Sequence, residues 1–420
     1  SFQQNKLFNN QIESSSLLTR EEIQEKYKWN LNDIYSSDEE WEKDFNWIEN
    51  NEQGYTKFEN RLGESASLLF EGLSFDEEIG KRFEKLFLYA MLAKDSDLRV
   101  NKYQSMDDKV KNLYAKVSAA SSFIRPELLS ISEEKINQFL NEKEELKLYK
   151  HFFDDLLRVK SHTLSKDEEK ILALSSEISS VPYDAFSIFS DADLKFPTIK
   201  DENGNEIEIS HGRYYAALYS KNRDYRERVF KGYYKSFIDY SNTFSTLLSG
   251  GLKSNIFSAR ARKYNSAREA ALDRNNIPIS VYDNLIKTVN ENFSQMYDWA
   301  ELKRQFLKLD KIHPFDTYVS LFELNEEKKY TYEDGKQIVM EALKPLGEDY
   351  MNSLNKAFNE RWIDVFETKG KRSGAYSSGT TYGVHPYVLL NWTNTLNDVF
   401  TLAHELGHNM HSYYTGKNQP

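Results

Sequence analysis

No cysteine occurs in the 420 residues. Disulfides, thiolate nucleophiles and cysteine-bearing metal sites are therefore excluded, leaving His, Asp and Glu as the strong ligands available. Proline and glycine are scarce, eight and 17 residues respectively, about half the usual share, which excludes collagen-like and linker-like chains and favours long helices. No apolar run approaches the roughly 18 residues needed to cross a bilayer. The chain begins without Met, and its polar opening has no basic-then-apolar signal pattern. An excess of positive charge is also missing. With 66 acidic against 55 basic residues the net charge is −11, so nothing draws the whole chain to phosphate backbones or anionic lipid. Nucleic acid and membrane are not expected partners, and a reducing, cytoplasmic setting fits.

What is present is apolar and aromatic: 39 % hydrophobic residues and 14 % aromatic ones, enough for one large core or several smaller ones. Ser37 with Glu40 reads as a capping box opening a helix whose Trp41, Phe45 and Ile48 make a core face. Ser165 with Glu168, followed by Ile171, Leu174 and Ile178, gives the same reading, as does the helical period after Pro278. Between residues 194 and 210 the period changes to two around Asn203-Gly204, a hairpin signal. A boundary near residue 190 then divides the chain into a tail or edge over 1–21, an N-terminal helical domain over 22–190 and a second domain over 191–420. Helices resume near Tyr214 and are expected to break at Gly250-Gly251 and Pro278. From Trp362 the stretches WIDVF, GAYSS and HPYVLLNW predict two or three short strands. Asn394 and Thr395 then cap a helix running from about Leu396 to Tyr414.

That helix carries His-Glu-Leu-Gly-His at 404–408. Positions four apart on a helix lie about 40° apart in azimuth and about 6 Å apart along the axis, so His404 and His408 can share one zinc ion. Glu405, at the edge of the same face, can take a proton from water activated by the metal and pass it toward a leaving amine. His411 returns to that face but lies too far along the axis to share the ion, and reads as a neighbour of the site or a packing residue. Gly407 costs about 1 kcal/mol relative to Ala inside a helix, which suggests close approach of another element. Asp398 reads first as an acid favoured by the helix N-terminus and second as a support for a ligand histidine. In the run from Gly379 to Tyr387, the glycines with Tyr382, His385 and Tyr387 look like an aromatic lip beside an edge strand able to pair with an extended peptide.

The stretch GKRSGAYSSGTTYGVHPYVLLNW, followed by TLNDVFTLAHELGHNMHSYYT, closely resembles the oligoendopeptidase F branch of the thimet-oligopeptidase-like zinc metallopeptidases. LKFPTIKDENGNEIEISHGRY, ARARKYNSAREAAL and NNIPISVYDNLI resemble that branch too, so the likeness runs from about residue 22 to the end. It implies a mainly α, multi-helical, two-part ellipsoid with a deep channel and a small β-sheet near the active-site helix. It also implies a zinc-dependent endopeptidase acting on internal bonds of short unstructured peptides, with His404 and His408 as ligands and Glu405 as base. His385, Tyr387, Tyr382 and Gly383 are the peptide-binding residues on this reading. The family pattern continues to a third ligand, a glutamate on a following helix, whereas residues 409–420 contain no Asp or Glu. The catalytic domain is thus expected to be truncated after the HExxH helix, and the chain alone to be inactive unless the C-terminal segment is supplied as a separate fragment. The alternative is a truncated or non-catalytic helical peptide-binding fragment. An aminopeptidase is disfavoured because no Gly-x-Met-Glu-Asn signature occurs.

Overall fold

The computed structural model describes residues 17–322, 329–379 and 381–417. Most of the expected tail, residues 1–16, lies outside them. Residues 18–20 are part of the fold: the Leu18 carbonyl accepts from the Lys369 amide, and the Arg20 guanidinium meets Asp364 at 2.7 Å.

The chain is mainly helical. The N-terminal part contains α1 (Asp38–Asn51), α2 (Ala66–Ser96), α3 (Asn101–Ser121), α4 (Ile124–Ser130), α5 (Glu133–Glu142), α6 (Lys150–Arg158), α7 (Lys166–Leu174) and α8 (Ser176–Ile188). Helix α2 is 31 residues long and buries Leu69, Leu73, Ile79, Leu86 and Ala90 along one stripe, against Trp41 and Ile48 of α1 and Val110 and Leu113 of α3. The expected core face of α1 is therefore in place. Its capping box is not, because Ser37 occupies the N-cap position without a side-chain cap bond. The box at Ser165 does form, with Glu168 reaching back to the Ser165 amide. The face it was expected to bury remains open, Ile171 being 65 % and Ile178 75 % exposed. Capping is settled within four residues, whereas burial requires a partner from elsewhere, and none covers this stripe among the described residues.

The hairpin appears as β1 (Thr198–Lys200) and β2 (Glu206–Glu208), paired antiparallel, with Gly204 at φ +87° in the turn. There follow α9 (His211–Leu218), α10 (Arg223–Asp239), α11 (Ser241–Ala261), α12 (Ala267–Asp273), α13 (Ile279–Glu291) and α14 (Phe293–Phe306). The break expected at Gly250-Gly251 does not occur, since α11 runs through both. A Cβ at Gly250 would come 3.0 Å from the Pro182 ring, so this glycine admits α8 to close contact instead of ending the helix.

The last part holds α15 (Tyr332–Ala342), α16 (Glu348–Asn359), β3 (Ile363–Phe366), β4 (Tyr376–Ser378), β5 (Tyr387–Trp392) and α17 (Leu396–Thr415). The sheet order is β3-β5-β4. β3 runs parallel to β5, with Ile363 opposite Val388, and β4 runs antiparallel to it, with Tyr376 opposite Leu389. One face of this sheet packs on α17 through Val365, Val388, Leu390, Leu402, Leu406 and Met410. Lys371, fully buried, ties the sheet together: its Nζ donates to the carbonyls of Phe366 at 2.7 Å and Leu390 at 2.5 Å, and pairs with Asp364 at 2.7 Å. Burial pushes the Asp364 carboxyl up, but Lys371 and Arg20 outweigh it and hold the group below the usual range.

Candidate metallopeptidase site

Helix α17 starts where a local signal places it. Thr395 accepts from the Asp398 amide, and Asp398 accepts in return from the Thr395 amide at 2.7 Å and hydroxyl at 2.9 Å. Thr393 adds its amide and hydroxyl, each at 3.1 Å, to the same oxygen, Oδ2. Burial pushes the Asp398 carboxyl up, and these donors only partly offset it. Its contacts are those of a helix-capping acid. The histidine rings are not among them.

His404 and His408 are exposed on one face of α17, with their Nε2 atoms 3.1 Å apart and the rings at 84° to each other. A tetrahedral ion bonding imidazole at about 2.0–2.1 Å sets two ligand nitrogens about 3.3–3.4 Å apart, so the pair fits a shared zinc ion with a small adjustment. Two neutral imidazoles also suit this borderline metal chemically. Glu405 is half-buried, one residue along. Among the described residues no third His, Asp or Glu joins the pair in a metal-sized cluster. The close approach expected at Gly407 is not seen: a Cβ there meets nothing within 4 Å, so no element of the described chain approaches it.

The remaining sequence-predicted residues divide. Tyr387 is fully buried, edge-on to Trp29, and its hydroxyl donates to the Asn30 carbonyl at 2.9 Å. His385 stacks on Trp362 at 4.5 Å, with Nε2 3.1 Å from Asp33. Both fasten the N-terminal segment 29–35 to the sheet. The Tyr382 ring lies under the Lys81 ammonium, 4.6 Å away, and Gly383 is exposed at φ +74°. Thr380, in the same run, lies outside the described residues.

A cavity of about 330 Å³ opens beside the first turns of α17, walled by α9, Tyr318, the approach to β4 and the end of β5. Its residues come from positions as distant as 211, 318, 367 and 398, and no local spacing connects them.

A mainly helical chain that displays His, Glu and His along an exposed helix face, next to a short sheet ending in an edge strand, has the architecture of a helical metallopeptidase. The comparisons agree. Residues 216–420 match the model of peptidase family M3, and residues 127–196 match that of oligopeptidase F. Oligopeptidase PepF of Bacillus subtilis is 43 % identical over 97 % of this chain, and an oligoendopeptidase F homolog of Borreliella burgdorferi is 35 % identical over 96 % of it and 67 % of its own length. The crystal structure of oligoendopeptidase-F from Enterococcus faecium superposes with a TM-score of 0.67 at 34 % identity, covering 76 % of this chain and 60 % of that one. The chain belongs to peptidase family M3. It spans about 60 % of the length of the Bacillus subtilis relative.

Proposed function

We propose that this chain carries the zinc-binding and proton-transfer part of an endopeptidase for short peptides. The observation that carries the reading is the convergence of His404 and His408 Nε2 at 3.1 Å on an open helix face. These two residues would hold zinc, which when bound supplies Lewis acidity toward water and the scissile carbonyl. Glu405, with no ion pair among the described residues, accepts the proton of the attacking water and returns it to the leaving amine. β4 has no strand on its outer edge among the described residues, and it offers main-chain groups to an extended peptide, a mode of binding tolerant of sequence. Tyr382 and Gly383 flank that route, while His385 and Tyr387 hold the sheet behind it.

Catalytic zinc usually has three protein ligands. With two in reach, residues 1–420 by themselves bind zinc weakly and hydrolyse peptides negligibly. Supplying the carboxylate-bearing segment that follows in a longer relative, joined or as a separate fragment, restores both. The test measures zinc content and cleavage of a fluorogenic peptide before and after complementation. In the complemented protein, Glu405→Gln is expected to keep zinc and lose several orders of magnitude in turnover. Stoichiometric zinc with full activity in the chain alone, or an unimpaired Glu405→Gln, would sink the respective half of this reading.

A further inference from the structure

The cavity beside α17 lies on the same side of that helix as the histidine pair. At about 100° per residue, Asn397, Asp398 and Thr401 fall within the same arc of about 120° as His404, Glu405 and His408. Asn397, Asp398 and Thr401 line the cavity. Thr401 sits about 7 Å along the axis from the midpoint of the histidine pair, a distance that two residues of extended peptide cover at about 3.3 Å each. A peptide whose bond is cleaved at the pair therefore reaches the cavity within two residues.

The direction follows from β4. Its start, Gly374 and Ala375, lines the cavity, and past its end a Cβ on Gly379 would touch Ser412. β4 thus runs from the first turns of α17 toward its last. A peptide added antiparallel to this edge, the more stable pairing, runs the other way, with its C-terminal part entering the cavity. That part is the leaving-group side of the scissile bond.

The lining selects the side chain. No Lys or Arg faces the cavity, while Glu367 and Asp398 do. Glu367 accepts from the Ser210 hydroxyl at 3.0 Å and the Gly212 amide at 3.1 Å, and lies within electrostatic reach of the buried Arg213. Each hydrogen bond to Asp398 falls on Oδ2, so Oδ1 has no donor among the described residues. Asn391 likewise has a buried Oδ1 without a donor, its amide being committed to the carbonyls of Arg372 and Gly374. Tyr215, Tyr219 and Tyr318 supply partly exposed rings, two pairs of which already meet edge-on. Aromatic faces and carboxylates around one cavity are the setting for a guanidinium or ammonium on an aliphatic stem.

We infer that this cavity is a specificity pocket for an arginine or lysine side chain of the peptide substrate, one or two residues to the leaving-group side of the scissile bond. The inference rests on the peptidase reading, and its test is binding instead of cleavage. Fluorescence anisotropy would compare labelled pentapeptides that differ only by arginine or its neutral isostere citrulline, with the full 420-residue chain. Arginine is expected to bind about tenfold more tightly. Ala216→Lys, which places a cation on the cavity wall from a partly exposed helix position, should bring the ratio to about one. Glu367→Gln should lower it too, and Ala216→Lys answers the question if loss of that cap impairs folding. A benzophenone at the peptide C-terminus should label the Tyr219 and Asn397 end, and one at the N-terminus the Ser412 end. Equal binding of the two peptides, or a ratio kept in Ala216→Lys, overturns the pocket while leaving the peptidase reading intact. Reversed labelling overturns the leaving-group assignment, and no binding of any peptide overturns both readings.

Discussion

Helices α2 and α13 are written in the same pattern and end in different places. In α2 the residues at helical spacing, Leu69, Leu73, Ile79 and Leu86, are all but inaccessible, closed over by α1 and α3. In α13 the equivalent stripe is Val281, Tyr282, Leu285, Ile286 and Val289, every one of them exposed, and the helix buries nothing at all. α11 buries only Ala259, and α14 only Lys303. An amphipathic period thus states which face of a helix requires cover, and says nothing about which element provides it.

The two regions are also held by different forces. The N-terminal bundle closes over a large apolar core, with ion pairs at its surface, whereas the α11–α14 arm, beyond the contact of α11 with α8, is fastened at its ends by charge. At one end Arg262 forks onto Glu169 at 2.7 and 2.8 Å, Arg158 meets Asp273 at 2.6 Å, and His162 stacks on Tyr264. At the other, Asp316 is fully buried between Arg223 at 3.1 Å and Arg226 at 2.8 Å, and Lys303 donates to the Thr317 carbonyl. Burial pushes the Asp316 carboxyl up, but the hydrogen bonds from Arg223 and Arg226 outweigh it and hold the group below the usual range.

The sharpest way to break this contrast is to remove that charge. Asp316→Asn leaves the buried Arg226 with backbone carbonyls but without its charged partner, a change that costs about 3–5 kcal/mol. The loss should appear in hydrogen exchange as early opening of α10 and the 314–317 turn, with α2 unaffected. Acid should act in the same place. A carboxyl depressed in the folded state contributes stability that is present above its unfolded pKa of about 3.9 and is lost as pH falls through the folded value. Below about pH 4, amide protection at the Asp316 end is therefore expected to fall in the wild type, and far less in Asp316→Asn. Equal acid sensitivity in both proteins would show that this pair does not set the arm's attachment.

In the bundle the corresponding change is Leu86→Ala. It removes a fully buried side chain from the centre of α2 and should lower unfolding stability by about 2–5 kcal/mol, read by urea denaturation of the bundle.

The same contrast explains what could be read in advance. The start of α17 was legible because its capping box, Thr395 with Asp398, is written within four residues, and the strands after Trp362 because their apolar runs are short and bounded. The histidine pair was legible for the same reason, its spacing being one helical turn. The continuous α11 was not, since Gly250 answers to Pro182, 68 positions away in sequence. Nor was the cavity, in which Glu367, just after β3, caps α9 through Ser210 and Gly212. Tyr387 and His385 look available in sequence because they stand near glycines. Their partners, Asn30, Asp33 and Trp362, appear only in three dimensions.

The smallest expected effect is the most discriminating one. Leu285 occupies in α13 the place that Leu86 occupies in α2, yet it is 61 % exposed, so Leu285→Ala removes little area from contact and creates no cavity. Alanine is also the better helix former. In residues 1–420 the change should move stability by less than about 0.5 kcal/mol, the range of surface substitutions. Measured beside Leu86→Ala under the same denaturant, it separates two explanations of the open stripe. If the arm packs in solution as it does here, the two leucines differ several-fold in cost. If Leu285→Ala instead costs about 2 kcal/mol or more, the stripe is covered by another copy or another part of the chain. The cost would then depend on protein concentration in the first case and not in the second.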